Sequence, residues 1–144
     1  MSKGAIVFAE DDPSNRQLIA TLLSAAGYTP VAVKDGISCL NALTRVTPKA
    51  VLLDINMPGL NGLATLEAIR GSIHWQELPV IFVTARPDQQ VLEHAKRYGA
   101  VHIIAKPFRP DEFVQRLERC LVLARSQPRK PVPEGPAVPW RDVE

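Results

Sequence analysis

Five polar side chains stand directly after short apolar runs: Glu10 and Asp11 after Ala5–Ala9, Asp54 after Ala50–Leu53, Thr84 after Val80–Val83 and Lys106 after Val101–Ala105. If those runs are strands of one parallel sheet, their carboxyl ends bound a single ligand crevice, and residues far apart in sequence meet there. Three carboxylates so gathered repel one another, by about 4 kcal/mol per pair at 4 Å and an effective dielectric of 20. Lys106 offers one compensating charge. A hard divalent ion that takes oxygen ligands and keeps part of its water shell offers the rest, and Mg²⁺ meets that description. A carboxylate in such a site can act as a nucleophile toward phosphorus, with the metal and the lysine stabilising charge on the equatorial oxygens and the Thr84 hydroxyl donating to one of them. Taken singly, each residue has an ordinary reading: an aspartate as a cap or turn, a lysine as a solvated ammonium, a threonine as a strand residue. Their joint placement is what points to chemistry.

The elements that must position them follow from the same pattern. A weaker run, Thr29–Val33, completes five strands, and longer stretches with helical spacing separate them. Pro13–Ala26 opens on Asp12-Pro13, carries Leu18, Leu22 and Ala25 at helical spacing and stops at Gly27. Ile37–Val46, Leu63–Arg70 and Val91–Tyr98 behave alike, with Gly71 and Gly99 as stops for the last two. The fifth helix begins at Pro110-Asp111-Glu112 and aligns Phe113, Leu117, Cys120, Leu121 and Ala124 in one apolar stripe. Strand and helix alternate throughout, which predicts an α/β fold with a five-stranded parallel sheet covered on both faces. After Arg125 the character changes: Pro128, Pro131, Pro133, Pro136 and Pro139 punctuate the remainder, so the reading is a domain over 1–125 and a Pro-rich tail or linker over 126–144, with Trp140 as its one large apolar group.

Composition narrows the function classes. With 144 residues, 46% hydrophobic and 22% charged, the chain fits a single globular domain. A formal net charge of +2 gives little electrostatic grip on nucleic acid. Cys39 and Cys120 have no metal-ligand spacing around them and read as small buried apolar residues. The first apolar run ends at Glu10-Asp11-Asp12, too short for a signal peptide core or a membrane span, so a cytoplasmic protein without a membrane partner is expected. His74 and His94 are expected in solvent and His102 beside a strand, none with a role.

Taken together, Glu10-Asp11-Asp12-Pro13, Asp54-Ile55-Asn56-Met57-Pro58-Gly59 with Gly62, Thr84-Ala85 and Lys106-Pro107-Phe108 resemble the receiver domain of two-component response regulators, over about residues 3 to 125. The resemblance implies a flavodoxin-like, doubly wound (βα)5 fold with strand order 2-1-3-4-5. It implies Asp54 as the phosphoacceptor, Asp11 as a direct Mg²⁺ ligand, Glu10 acting mostly through water, and Asn56 giving its backbone carbonyl to the metal. Thr84 is then the switch hydroxyl, Lys106 the phosphate partner, and Lys106-Pro107 a cis bond. Implied partners are a histidine kinase or histidine phosphotransfer protein and a downstream protein or fused effector domain, with a homodimer left open. One position departs from the pattern: Ile103 stands three before the lysine, where many receivers carry an aromatic residue, which puts in doubt the coupled movement of hydroxyl and ring.

Three other functions compete on these residues, one of them a receiver-like module that binds partners without phosphorylation, which is disfavoured because every chemical position is filled. Hydrolases that form an aspartyl phosphate carry a second aspartate two after the nucleophile; here that place is Asn56, which removes the general acid. A flavodoxin-like cofactor carrier would need a phosphate-binding loop after the first strand, and an anionic cofactor would instead meet Glu10-Asp11-Asp12.

Overall fold

The computed structural model describes residues 2–85, 88–100 and 102–126. Five strands, β1 (Ala5–Ala9), β2 (Thr29–Val33), β3 (Ala50–Leu53), β4 (Val80–Thr84) and β5 (His102–Ala105), form one parallel sheet in the order β2-β1-β3-β4-β5. Helices α1 (Pro13–Ala25), α2 (Gly36–Leu43), α3 (Gly62–Arg70), α4 (Gln89–Arg97) and α5 (Pro110–Ser126) alternate with them. The inner strands β1, β3 and β4 are apolar up to the terminal Thr84 because both faces are covered, and successive side chains enter opposite layers. Ile6, Phe8, Ala50, Leu52, Ile81, Val83 and Ile104 pack under α1 and α5 with Ile19, Leu23, Phe113 and Leu117. Val7, Ala9, Val51, Leu53, Val80 and Phe82 pack under the other three helices with Cys39, Leu66, Ile69 and Val91. β2 is an edge strand of intermediate burial, which is why its run is the least apolar of the five.

Four helices start at the carboxyl edge of the sheet with a side-chain cap. Asp12, Asp35, Asn61 and Asp88 accept from the backbone N–H of Asn15, Ser38, Ala64 and Val91, each cap satisfying a donor the helix leaves open. At the other end, Gly27 (φ +98°) and Gly99 (φ +69°) take the left-handed conformation that lets α1 and α4 stop.

Four expectations need correction. The buried stripe of α1 is Ile19 and Leu23, while Leu18 is 39% exposed and Ala25 also faces solvent. α2 ends at Leu43, not Val46, because Arg45 and Val46 turn back to bond the Ala42 carbonyl. α4 starts at Gln89, two residues before Val91, since the Asp88 cap sets its origin. His94 is buried, 4% exposed, at the α3–α4 contact, where Nε2 lies 3.7 Å from Glu67 Oε1 and the ring stacks at 4.9 Å on Tyr98. Cys39 and Cys120 are buried free thiols, as their types suggest, with burial pushing them up to about 12 and about 11. Val101 and the Pro-rich segment with Trp140 lie outside the described residues. Among the described residues no helix is long and apolar enough to cross a membrane.

Candidate functional site

Strand register brings the polar residues to one edge. Ala9 lies opposite Leu53, and the next amide, Asp54 N, continues the ladder by donating to Ala9 O at 3.2 Å. Glu10 N donates to Val33 O at 3.0 Å, extending β1 against β2. Leu53 pairs with Phe82 and Thr84 with Ala105, after which Lys106 N donates to Thr84 O at 2.9 Å. The residue after each strand therefore emerges at the same level, and the expected convergence is observed for Glu10, Asp11, Asp54 and Lys106. Thr84 ends β4 beside them and is fully buried.

Lys106 is the electrostatic centre. Its Nζ donates to Glu10 Oε1 at 2.5 Å and to Asp54 Oδ2 at 2.9 Å. Asp11, more exposed, completes a cluster in which one carboxylate oxygen each from Glu10, Asp11 and Asp54 lie within 4.8 Å of one another. Three carboxylates against one ammonium leave two formal negative charges without a counter-charge in this group. Burial raises Glu10 above its ordinary carboxylate value, and nearby Asp54 adds to that effect despite the opposing pull of Lys106. Burial alone would lower Lys106, but its bonds to Glu10 and Asp54 outweigh it and hold the ammonium above its usual range. The lysine thus stays charged at any physiological pH.

The loop after β3 holds Asp54 in place. Asn56 N donates to Asp54 Oδ1 at 3.3 Å, so the two carboxylate oxygens of Asp54 are engaged from different sides. Gly62 N returns to Ile55 O at 3.0 Å, and a Cβ on Gly62 would collide with the Asp54 carbonyl. Only glycine lets α3 begin this close to the strand end. Gly59, at φ +72°, turns the loop, and the Lys106-Pro107 peptide is cis, as the resemblance implies. Asn56 itself is exposed. Ile103 is half-buried on β5, opposite Phe82, and packs toward the layer under α2, α3 and α4. Sequence reasoning missed Arg16 of α1, whose guanidinium Nη1 donates to the Glu10 carbonyl at 2.8 Å and more weakly to that of Asp11 at 3.4 Å. The signal available was its place one turn into a helix that starts beside the acidic pair.

Comparison with known proteins converges on one family. The response regulator receiver domain model matches residues 6–118. The DNA-binding transcriptional regulator NtrC of Escherichia coli K12 is 36% identical over 138 residues, covering 94% of this chain but 29% of the relative. The phosphate regulon transcriptional regulatory protein PhoB of Klebsiella pneumoniae is 31% identical over 113 residues, covering 78% and 49% respectively. This chain therefore spans less than half the length of either regulator. Among solved structures, the receiver domain of sensor histidine kinase PA1611 from Pseudomonas aeruginosa PAO1, which has a magnesium ion coordinated in its active-site cleft, superposes with a TM-score of 0.75 at 30% identity, covering 83% of this chain and 98% of that one. The chemotaxis response regulator CheY4 of Vibrio cholerae gives 0.76 at 25% identity with the same coverage. With the sheet order, the acidic edge and the matched span in agreement, this chain belongs to the response regulator receiver domain family and is a phosphorelay signalling module.

Proposed function

We propose that Asp54 is the phosphoacceptor of this receiver, loaded from a phosphohistidine on a histidine kinase or phosphotransfer protein with the help of Mg²⁺. The observation that carries the reading is the acidic triad Glu10, Asp11 and Asp54 gathered within 4.8 Å around a single lysine. The three carboxylates offer the hard oxygen donors that such an ion takes. The magnesium seen in the related PA1611 receiver supports the same choice. Asp11 and Asp54 would hold the ion directly with the Asn56 carbonyl, and Glu10, tied to Lys106, would reach it through water. When bound, the ion supplies positive charge to the phosphoryl oxygens during transfer.

The remaining steps belong to the chain. One carboxylate oxygen of Asp54 attacks phosphorus, the new O–P bond forms as the P–N bond of the phosphohistidine breaks, and the imidazole leaves, taking its proton from solvent. Lys106, already on Asp54 Oδ2 and firmly protonated, moves its ammonium to a phosphoryl oxygen. Glu10 keeps that ammonium aimed across the crevice. Thr84, at the end of β4, donates its hydroxyl to another phosphoryl oxygen and so carries the change into the loop before α4. The output is altered protein binding, to a separate partner or a fused effector domain, in the cytoplasm; self-catalysed phosphorylation and dephosphorylation of Asp54 is its only turnover. Incubating the chain with a labelled phosphohistidine donor tests this: label should appear only with Mg²⁺ and should vanish in Asp54→Asn. Full labelling of that variant would overturn the assignment.

A further inference from the structure

From the Glu10–Asp11 turn we infer that Arg16 is a positioning residue for the acidic pair, and that it tightens metal binding although its own charge opposes the metal. The inference rests on the reading of Glu10, Asp11 and Asp54 as the cation site. In an extended strand, successive side chains and successive carbonyls point to opposite sides. A chain that simply continued β1 would therefore send the Glu10 and Asp11 carboxylates apart. Instead both reach within 4.8 Å of Asp54, and both carbonyls turn toward one nitrogen, Arg16 Nη1, at 2.8 and 3.4 Å. The turn that brings the carbonyls together is the turn that brings the carboxylates together.

Other ties act on Glu10 rather than on the turn as a whole: its N–H donates to Val33 O at 3.0 Å and Lys106 holds its carboxylate, but neither bond reaches Asp11. Asp12 N reaches Glu10 Oε2 at 3.4 Å, and the Asp12 carboxylate is occupied in capping α1 through Asn15 N at 3.0 Å. Arg16 differs because α1 anchors it rigidly: its own amide donates to Asp12 O at 2.9 Å within the first turn, and Ile19 and Leu23 bury the helix against the sheet. A charged donor on a packed helix thus holds a turn whose side chains would otherwise repel one another. Glu10 and Asp11 are kept in the ligating arrangement before any ion arrives, so less ordering remains to be done on binding.

The two effects of Arg16 have opposite signs, which makes the test decisive. By charge alone, removing a guanidinium beside a cation site should tighten Mg²⁺ binding; by loss of positioning it should weaken it. Mg²⁺ titrations of the full chain, followed by the backbone amide shifts of Glu10, Asp11 and Asp54 alongside a thermal melt, should show Arg16→Ala weakening binding about tenfold, the worth of a charge-assisted hydrogen bond. Arg16→Lys, which keeps donors on a slightly shorter stem, should recover most of the affinity. If Arg16→Ala does not fold, Arg16→Gln, with one neutral donor, should lie between wild type and that loss. Equal or tighter binding in the folded Ala or Gln variant overturns the inference. Failure of the wild-type chain to bind Mg²⁺ overturns instead the reading of the cation site.

Discussion

At the carboxyl edge of the sheet one ammonium, Lys106, faces the carboxylates of Glu10, Asp11 and Asp54, whereas at the amino edge one guanidinium, Arg70, faces four backbone carbonyls. Arg70 ends α3 and is 1% exposed. Its Nε and Nη2 bind the carbonyls of Tyr98 and Gly99 after α4, and its Nη1 those of Trp75 and Leu78 before β4, at 2.7 to 3.0 Å. Dipoles from two loops meet the guanidinium there, and the arrangement closes the ends of α3 and α4 onto the sheet. At the other edge the charges do not balance, and the excess is negative and partly open to solvent. Buried charge surrounded by fixed dipoles serves stability, while carboxylates in excess of their counter-charges at a partly open edge favour a cation.

That contrast can be broken most severely at Arg70. Arg70→Met should cost on the order of 4 kcal/mol, because buried carbonyls lose their donors together. Denaturant unfolding would show it, and phosphorylation of the fraction still folded should continue. A loss below about 1 kcal/mol would mean that water readily replaces the guanidinium.

Asp11→Ala should move stability the other way in metal-free protein, raising the melting temperature by about 2–4 °C through relief of like-charge repulsion. Saturating Mg²⁺ should then stabilise the wild type more than the variant, reversing their order. A lower melting temperature without metal would show that Asp11 has a stabilising partner.

His94 sharpens the comparison by pH. It faces Glu67 on α3, the Leu63 carbonyl, and Arg97 and Tyr98 on its own helix. Burial first, with Arg97, holds it below its ordinary 6.5. The unfolded chain therefore takes up the proton first as the pH falls, so stability is lost from about pH 6.5 downward toward the folded-state value. Glu67, raised above 4.5 by burial, has the opposite linkage: its proton is favoured in the folded state, and stability is gained as the pH falls through its raised value. Melting curves of His94→Leu between pH 7.5 and pH 6, a range chosen around the ordinary histidine value of about 6.5, should be flatter than wild type. An unchanged slope would remove His94 from the account.

The smallest effect concerns Ile103. A β-branched side chain packed in the layer beside Phe82 has no swing comparable to that of an aromatic ring. With a phosphoryl mimic, amide shifts should be larger near Thr84 and the start of α4 than at Ile103 and α5, with partner binding only partly gated. Equal shifts at both places would contradict this.

Much of this was legible in the sequence because strand ends are. An apolar run followed by a carboxylate or a lysine marks both a buried strand and its functional edge, so Glu10, Asp11, Asp54 and Lys106 could be gathered without coordinates. The α1 stripe was misread because Leu18–Leu22 and Ile19–Leu23 are both apolar rows one residue apart, and periodicity alone does not choose between them. The polar composition of α4 suggested solvent for His94, although its spacing from Val91 and Tyr98 places it on the buried side. Arg70 entered the sequence analysis only as the end of the stretch Leu63–Arg70; its burial depends on the Trp75–Leu78 and Tyr98–Gly99 loops, which no local pattern connects to it. The cis Lys106-Pro107 bond was legible only through the family resemblance.

The proposed role of Asp54 as the phosphoacceptor at the acidic carboxyl edge has a direct chemical test. Treating the chain with a small acyl phosphate and Mg²⁺, reducing the acyl phosphate with borohydride and locating the converted residue by peptide mass spectrometry tests it directly. The account predicts conversion at Asp54 alone, absent when Mg²⁺ is withheld; conversion at another residue, or at Asp54 to the same extent without Mg²⁺, would contradict it.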